Sequence, residues 1–412
     1  MAERKVDFLL IGGGLAAGNC ARWLRESGAD GEILLVGREP DLPYNRPALS
    51  KDYLRQTQSR EETLFREPGW YEEQSIEALT RVSATAVDLD ERAVKLSNGE
   101  TVGFEKLLLA TGANVRRLQV PGCDLAGIDY LRTFGNSDAI RADAAGKRVV
   151  LIGGSYIGCE VAASLTELGS ECTIVMLEKV ALSRTFGEHA GRFFEDRLKD
   201  HGIALHGGEE LDRFEGSDGR VGRVVTKSGL EIEADAVVIG AGVLPDVSLA
   251  REAGLTIGEG GGVHLDSRLE ASAPGVYAAG DIADYQSVIH DGQRIRIEHW
   301  DVAFNHGKTA ALNMLGRDVP HEEVPYFFSD LSDWASLEYV GPAYDWDSEV
   351  TRGSLEEGEF TVWYLHQGRV AAALSVGRSD DLDHARRFII ESTDLGEHTG
   401  ELEDPSSELE RL

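Results

Sequence analysis

Val6-Asp7-Phe8-Leu9-Leu10-Ile11-Gly12-Gly13-Gly14-Leu15-Ala16-Ala17 is the stretch that decides the fold. A short apolar run of strand length ends in three glycines, and a helix-like stretch follows over 15–27. A second apolar run, Glu32-Ile33-Leu34-Leu35-Val36, closes a strand–turn–helix–strand unit. Within such a unit GxGxxA is a phosphate-binding turn. Gly12 permits the tight turn after the strand, and Gly14 lets a pyrophosphate approach the amides and positive dipole end of the helix. Ala16 lies in the same first turn, and Ala17 keeps the helix close to the strand. An acidic residue should follow Val36 to accept from ribose hydroxyls. Of Arg38 and Glu39, Glu39 is the chemically suitable one.

The pattern recurs about 140 residues later, which means two nucleotide folds rather than a solenoid with repeats of about 20–50 residues. Arg148-Val149-Val150-Leu151-Ile152 leads into Gly153-Gly154-Ser155-Tyr156-Ile157-Gly158, then a helix over 156–168 and a strand over 171–175. Ser155 departs from GxGxxG, but it is small and its hydroxyl can donate to a phosphate. Glu178, after the second strand, suits an NADH ribose and repels a 2′-phosphate, while Lys179 and Arg184 leave NADPH open.

Alternating runs over 84–102 and 212–232, with turns at Asn98-Gly99, Asp218-Gly219 and Ser228-Gly229, read as a β-meander inserted in each half. From His321 the texture changes. Tyr326, Phe327, Phe328, Trp334, Tyr339, Tyr344 and Trp346 come close together, followed by strands over 359–365 and 369–376, as in a small α+β domain. Residues 392–412 are acidic with few large apolar side chains, which predicts a mobile tail or a surface helix.

Further strands end in small residues: Leu107-Leu108-Leu109-Ala110-Thr111-Gly112, Val237-Val238-Ile239-Gly240-Ala241-Gly242 and Gly275-Val276-Tyr277-Ala278-Ala279-Gly280-Asp281. Asp281 suits the ribitol hydroxyls of a flavin; as a lone residue it reads equally well as a helix N-cap.

Composition excludes whole classes of function. The net charge of −31, from 72 acidic and 41 basic residues, argues against nucleic acid and anionic membrane surfaces. No apolar run reaches the roughly 18 residues of a membrane span, and Met1 leads straight into a strand-like run with no secretory signal. Cys20, Cys123, Cys159 and Cys172 form no CxxC or CxxxxC pair, so neither a zinc site nor an adjacent redox disulfide is expected, and a reducing cytoplasm fits best.

The order GxGxxA, Ala110-Thr111-Gly112, a second glycine turn and Ala278-Ala279-Gly280-Asp281 resembles the FAD- and NAD(P)-dependent pyridine nucleotide oxidoreductases over about residues 6–316. Pro43-Tyr44-Asn45-Arg46-Pro47-Ala48-Leu49-Ser50-Lys51 narrows the likeness to oxygenase-coupled NADH–ferredoxin reductases and the apoptosis-inducing-factor-like flavoproteins. Glu298-His299-Trp300, Asn305-His306-Gly307, Asn313-Met314-Leu315-Gly316 and Pro325-Tyr326-Phe327-Phe328-Ser329-Asp330 agree with that group. The resemblance implies an α/β fold with two Rossmann-like, glutathione-reductase-type domains carrying β-meander insertions, plus a small C-terminal α+β domain. The expected division is 1–114 and 246–320 for FAD, 115–245 for NAD(P), 321–391 for the C-terminal domain and 392–412 for the acidic tail.

The same resemblance implies roles. Cofactor chemistry passes hydride from the nicotinamide to the flavin. Lys51 is the cation beside the isoalloxazine, and Glu160 is its partner and an acceptor for the nicotinamide amide; taken alone, each would be a solvated surface charge. Gly12, Gly14, Ala16, Ala17, Glu39, Arg46, Val82, Ala110, Thr111, Gly112, Arg132, Gly280, Asp281, Trp300 and Phe328 are expected at FAD. Arg46 and Arg132 fall on its pyrophosphate or adenine side, and Val82 contributes its backbone to adenine. Trp300 and Phe328 line the flavin face, with core packing the plainer role for Phe328. Asp301 and the amides after it open a helix over 302–314 whose positive end faces the flavin. Gly153, Ser155, Tyr156, Ile157, Gly158, Glu160, Glu178 and Gly242 are expected at NAD(H), with NADP(H) second.

Related disulfide reductases carry a cysteine pair on the helix after the ribose strand, and related peroxidases one cysteine. This chain has none between Cys20 and Cys123, so electrons should leave directly from the flavin edge. The expected partners are NADH and a small carrier, ferredoxin or rubredoxin; a slow NADH sensor and a reductase of a quinone or an ascorbate radical are the rivals. The oligomeric state stays open, a homodimer included. Phe328 stands where the group has Trp, Leu331 stands where a polar residue is expected, and 331–336 departs from the group. An acidic ferredoxin would need Arg55, Arg66, Arg294 and Arg296 to cluster.

Overall fold

Arg4–Ile11 is the strand around which the first half of the molecule is built. Leu9 and Leu10 point to opposite faces of its sheet, yet both are fully buried, so helices or loops cover each face. In this computed structural model, residues 4–342 and 345–412 are described; Met1 and Tyr344 lie outside them. The chain divides into two compact units. The first holds Met1–Asn45, Glu61–Asn114 and Val243–Pro325, the second Arg46–Arg60, Val115–Gly242 and Tyr326–Leu412. Residues 46–60 are therefore structurally part of the second unit.

The first unit has a seven-stranded sheet in the order Ile76–Leu79, Ile33–Val36, Arg4–Ile11, Thr101–Leu109, Ala93–Leu96 and Ala84–Asp88, with Val276–Ala278 pairing Thr101–Leu109. Register places Ile11 opposite Val36 and Leu109, and Leu109 opposite Ala278. The carboxyl ends of these parallel strands thus stop at one level, where ligands bind in open α/β sheets. Thr101–Leu109 is also the last strand of the expected first meander, antiparallel to Ala93–Leu96. Helix Leu15–Glu26 packs closely against helix Trp300–Met314. Contact is close because Gly307 lacks a side chain: a Cβ there would lie 2.5 Å from the Ala16 carbonyl oxygen.

In the second unit, Ala204–Gly207, Glu171–Met176, Arg148–Ile152, Ala236–Ile239 and Ile128–Tyr130 form a parallel sheet in that order. The second meander is Leu211–Ser217, Arg220–Thr226 and Glu231–Glu233. The C-terminal sheet is antiparallel, ordered Tyr326–Leu331, Ala335–Val340, Arg369–Val376, Glu359–His366 and Ser348–Ser354. Its aromatic side chains are largely core. Phe327 stacks with Phe186 of helix Ser183–Asp200 at 6.1 Å, and the Tyr364 hydroxyl donates to the Phe186 carbonyl at 2.9 Å.

Over 392–412, where a mobile tail or a surface helix is expected, the chain forms the short surface helix Thr399–Glu403. Leu395, Leu402 and Leu409 are buried. Arg352, itself 4 % exposed, donates to the carbonyls of Glu401, Asp404, Pro405 and Ser407. A few leucines at wide spacing suffice because one buried guanidinium satisfies the backbone of the turns between them. Arg352 also pairs with the buried Asp381 at 3.4 Å, and Arg352→Ala should lower stability by about 3 kcal/mol, the scale of a broken buried ion pair. Hydrogen exchange should then rise selectively over 395–411; uniform exchange behaviour would deny the anchor.

Two buried histidines make the fold pH-sensitive. His306 accepts the Gly280 N–H through Nδ1 at 3.2 Å, and His321 meets the Thr309 hydroxyl at 3.0 Å. Burial holds His321 down to about 4 and His306 well below its usual range. The unfolded chain takes up these protons below about pH 6.5 while the folded chain does not, so stability falls as pH drops from about 6.5 toward 4. Calorimetry between pH 7 and 5 should show a falling Tm, with a shallower slope in His321→Phe.

Candidate functional site

The first unit carries a cradle at the carboxyl ends of its parallel strands. Gly12 sits at φ 142°, and a Cβ there would lie 2.0 Å from the Ala110 carbonyl oxygen. Only glycine fits, which is why the strand can turn beneath Ala110. At Gly14 an added Cβ would meet nothing within 4 Å and would project into open space. Gly14 caps helix Leu15–Glu26 with no side-chain acceptor, and the first turn holds no acidic residue. The helix amides thus await an external anion, which fits the pyrophosphate of FAD. Ala16 and Ala17 are buried in that first turn.

The other expected FAD residues of this unit are placed as follows. The Glu39 carboxylate accepts the Tyr44 hydroxyl at 2.6 Å, while Arg38 pairs with Asp246 at 2.8 Å and donates to Asn114. Val82 gives its N–H to the Gly37 carbonyl, so a backbone contact to adenine would fall to its carbonyl. Ala110 follows the sheet's central strand, the Thr111 hydroxyl donates to the Asp246 carbonyl at 2.6 Å, and the Gly112 carbonyl accepts the Asp246 N–H. Gly280 and Asp281 lie in a single 3-10 turn, Gly280–Ile282, so the N-cap reading of Asp281 falls. His306 holds that turn through the Gly280 N–H, a role the sequence does not reveal. Trp300 donates to the Asn45 side chain at 3.1 Å and stacks on Phe304.

The expected helix start is corrected as well. The helix begins at Trp300, with His299 as N-cap. Asp301 lies inside the first turn, where its carboxylate accepts from Asn305 at 2.9 Å.

In the second unit the dinucleotide turn is repeated. Gly153 has φ 112°, and a Cβ there would approach the Gly240 carbonyl oxygen to 2.5 Å. A Cβ at Gly158 would meet the Gly153 carbonyl oxygen at 2.0 Å, so helix and turn touch. Ser155 caps helix Tyr156–Glu167 without a side-chain bond to it, is exposed, and makes only a 3.4 Å contact to the Gly240 carbonyl. The Tyr156 ring turns away, packing on Phe186 and Phe327 at 5.7 and 5.0 Å, which leaves its amide as the group to meet a phosphate. Ile157 is exposed at 38 %, and Gly242 has open space where a Cβ would stand. Glu178 is half-buried after strand Glu171–Met176, its carbonyl held by the Gly208 N–H at 2.9 Å.

The second unit also joins Lys51 to Glu160. The motif segment forms the 3-10 turn Arg46–Ser50 and a short helix, Asp52–Arg55. It is fastened by the Ser137 hydroxyl donating to the Leu49 carbonyl at 2.8 Å and the Ser164 hydroxyl to the Ser50 carbonyl at 2.7 Å. Glu160 and Ser164 lie one helical turn apart and face the same segment. Lys51 Nζ stands 2.8 Å from Glu160 Oε1, with the residues 6 % and 4 % exposed. These are not solvated surface charges. Ser50 donates to Oε2 and Ser329 to Oε1, both at 2.6 Å. Removing one partner of such a buried pair strands a charge at a cost of about 3–5 kcal/mol. The Lys51 ammonium also lies 5.8 Å from the Phe328 ring centre. Phe328 is 37 % exposed, which rules out core packing as its role. Arg46 donates to the Arg132 carbonyl, so these two expected residues are joined.

The thiol next to the charge pair is buried. All four cysteines are free. Cys159 adjoins Glu160 in sequence, but burial pushes its thiol upward and disfavours the reactive thiolate. Cys172 is pushed up to about 11 for the same reason. Each of the four arginines expected to face an acidic carrier has a local contact. Arg55 pairs with Asp52, Arg66 lies over Phe65 and Trp70, Arg294 donates to the Leu265 and Asp284 carbonyls, and Arg296 pairs with Glu298. Trp334, in the divergent 331–336 segment, stacks on His201 at 3.9 Å and donates to Glu167.

Gly14→Val should leave the melting temperature of the apoprotein within about 1 °C, since its side chain enters open space, while FAD affinity falls at least tenfold. Fluorescence titration of apoprotein with FAD checks this; unchanged affinity would place the pyrophosphate elsewhere.

Comparison with known proteins agrees with this geometry. Residues 6–307 match the pyridine nucleotide-disulphide oxidoreductase family, and residues 326–412 match the reductase C-terminal family. The ferredoxin–NAD(+) reductase component of the anthranilate 1,2-dioxygenase system of Burkholderia cepacia is 34% identical over 93% of each chain. The ferredoxin reductase for the CYP199A2 system of Rhodopseudomonas palustris superposes with TM-score 0.93 at 32% identity, covering 98% of this chain and 99% of that one. The covalent putidaredoxin reductase–putidaredoxin complex gives TM-score 0.90 at 31% identity, covering 97% and 96%. Glycine turns, uncapped helices and family matches together make this chain a member of the pyridine nucleotide-disulphide oxidoreductase family, users of FAD and NAD(P)H.

Proposed function

We propose that the chain oxidises NADH at bound FAD and delivers the electrons to a small carrier protein of the ferredoxin type. One observation carries this reading: a buried Lys51–Glu160 pair beside the exposed ring of Phe328, with no reactive thiol in the surrounding elements. Bound FAD would supply the two-electron acceptance and stepwise release that such a transfer needs. Lys51 then stabilises negative charge on the reduced ring, Glu160 fixes the ammonium and accepts from the nicotinamide amide, and Phe328 gives the ring an apolar surface. Arg46 and Arg132 serve the pyrophosphate or adenine side, as do Glu39 and Val82. The Burkholderia relative is named for ferredoxin–NAD(+) reduction, and the putidaredoxin complex shows a relative joined to its carrier. Free cysteines suit a reducing compartment, here the cytoplasm. No helix among the described residues is long and apolar enough to cross a membrane.

The deciding experiment is anaerobic stopped-flow reduction by NADH, followed by turnover with a panel of ferredoxins, rubredoxins, quinones and dyes. Sub-second flavin bleaching and transfer to an iron–sulfur carrier support the reading. Reduction over minutes with a stable charge-transfer band would favour an NADH sensor instead. Lys51→Ala should slow flavin reduction at least tenfold while the yellow spectrum is retained; an unchanged rate removes its role. NADH preference rests on Glu178, whose carboxylate would accept from the ribose and repel a 2′-phosphate. Glu178→Ala should raise the NADPH-to-NADH ratio of kcat/KM by about tenfold, and an unmoved ratio would show that another group reads the ribose.

A further inference from the structure

Glu160 is held by more than its lysine. The Ser329 hydroxyl reaches Oε1 and the Ser50 hydroxyl reaches Oε2, each at 2.6 Å. Ser50 and Ser329 are 1 % and 3 % exposed. Ser50 has a second acceptor, the Pro47 carbonyl at 3.2 Å, but a hydroxyl has one proton and the shorter bond to a carboxylate is the stronger. The two serines come from different elements: Ser50 ends the turn that presents Lys51, and Ser329 lies in strand Tyr326–Leu331 directly after Phe328.

We propose that Ser50 and Ser329 are positioning residues for the reaction, setting both the orientation of the Glu160 carboxylate and how much of its charge is left to oppose Lys51. The inference rests on the proposed role of the Lys51–Glu160 pair. Out of water, each hydroxyl dipole offsets part of the carboxylate charge, so the pair presents a more positive field than an ammonium and a bare carboxylate would. Ser329 has a further effect. It ties the strand carrying the exposed Phe328 ring to the helix carrying Glu160, so the ring and the charge pair hold one geometry.

The test compares Ser329→Ala, Ser50→Ala and Ser329→Thr in FAD-loaded protein, with Lys51→Ala alongside. Each alanine variant should slow flavin reduction by NADH about tenfold, the scale of one lost hydrogen bond to a charged group. Each should also shift the flavin midpoint potential to more negative values, because less of the Glu160 charge is offset. Ser329→Thr keeps the hydroxyl and should restore both readings to within about twofold. A lowered melting temperature with unchanged rate and potential would show that the serines only pack, and would overturn the proposal. If Lys51→Ala slows reduction but the serine variants do not, this inference alone fails. If Lys51→Ala itself has no effect, the reading beneath it fails.

Discussion

The positive end of a helix that starts at a glycine turn, with neither a capping side chain nor an acidic residue in its first turn, offers its amides to an anion. Both Leu15–Glu26 and Tyr156–Glu167 are of this kind. Each follows a strand that ends in a glycine with positive φ, and each of those glycines is pressed against a carbonyl that no Cβ could approach. The fold therefore builds two turns whose geometry suits the phosphates of a dinucleotide. The parallel sheets, with their aligned carboxyl ends, bring the remaining strand ends to the same level as each cradle.

Within the second unit a different kind of constraint operates. A lysine and a glutamate buried together are costly unless every lone pair and proton is met. Two serines at 2.6 Å meet that demand on the Glu160 side, and Ser164 on the same helix holds the turn that carries one of them. The Phe328 ring is left 37 % exposed beside this charge pair. The Lys51 ammonium is thereby held in one position, 5.8 Å from the centre of that ring. Cys159, beside Glu160 in sequence, is a free and buried thiol.

Much of this was legible in the residues. The strand–glycine–helix repeats, the two meanders and the change of texture after His321 all appear in the structure, because local patterns of period and turn chemistry determine them. The pairing of Lys51 with Glu160 was legible only through resemblance; 109 positions separate the two, and no local rule joins them. Over 392–412 acidity and few apolar residues pointed to a surface helix, and Thr399–Glu403 is one, whereas the burial of Leu395, Leu402 and Leu409 was not legible. The helix after His299 starts earlier than expected, since Asp301 bonds to Asn305 rather than capping.

What the chain's order of residues determined by itself was the pair of phosphate turns and the absence of a cysteine pair, since backbone freedom at glycine and the spacing of thiols are local properties. Only the tertiary structure decided that Ser50 and Ser329 grip opposite oxygens of Glu160, that His306 holds Gly280, and that Arg352 fastens the C-terminus. These are contacts between residues far apart in the chain. Their energy comes from burial, which no single stretch of sequence can supply.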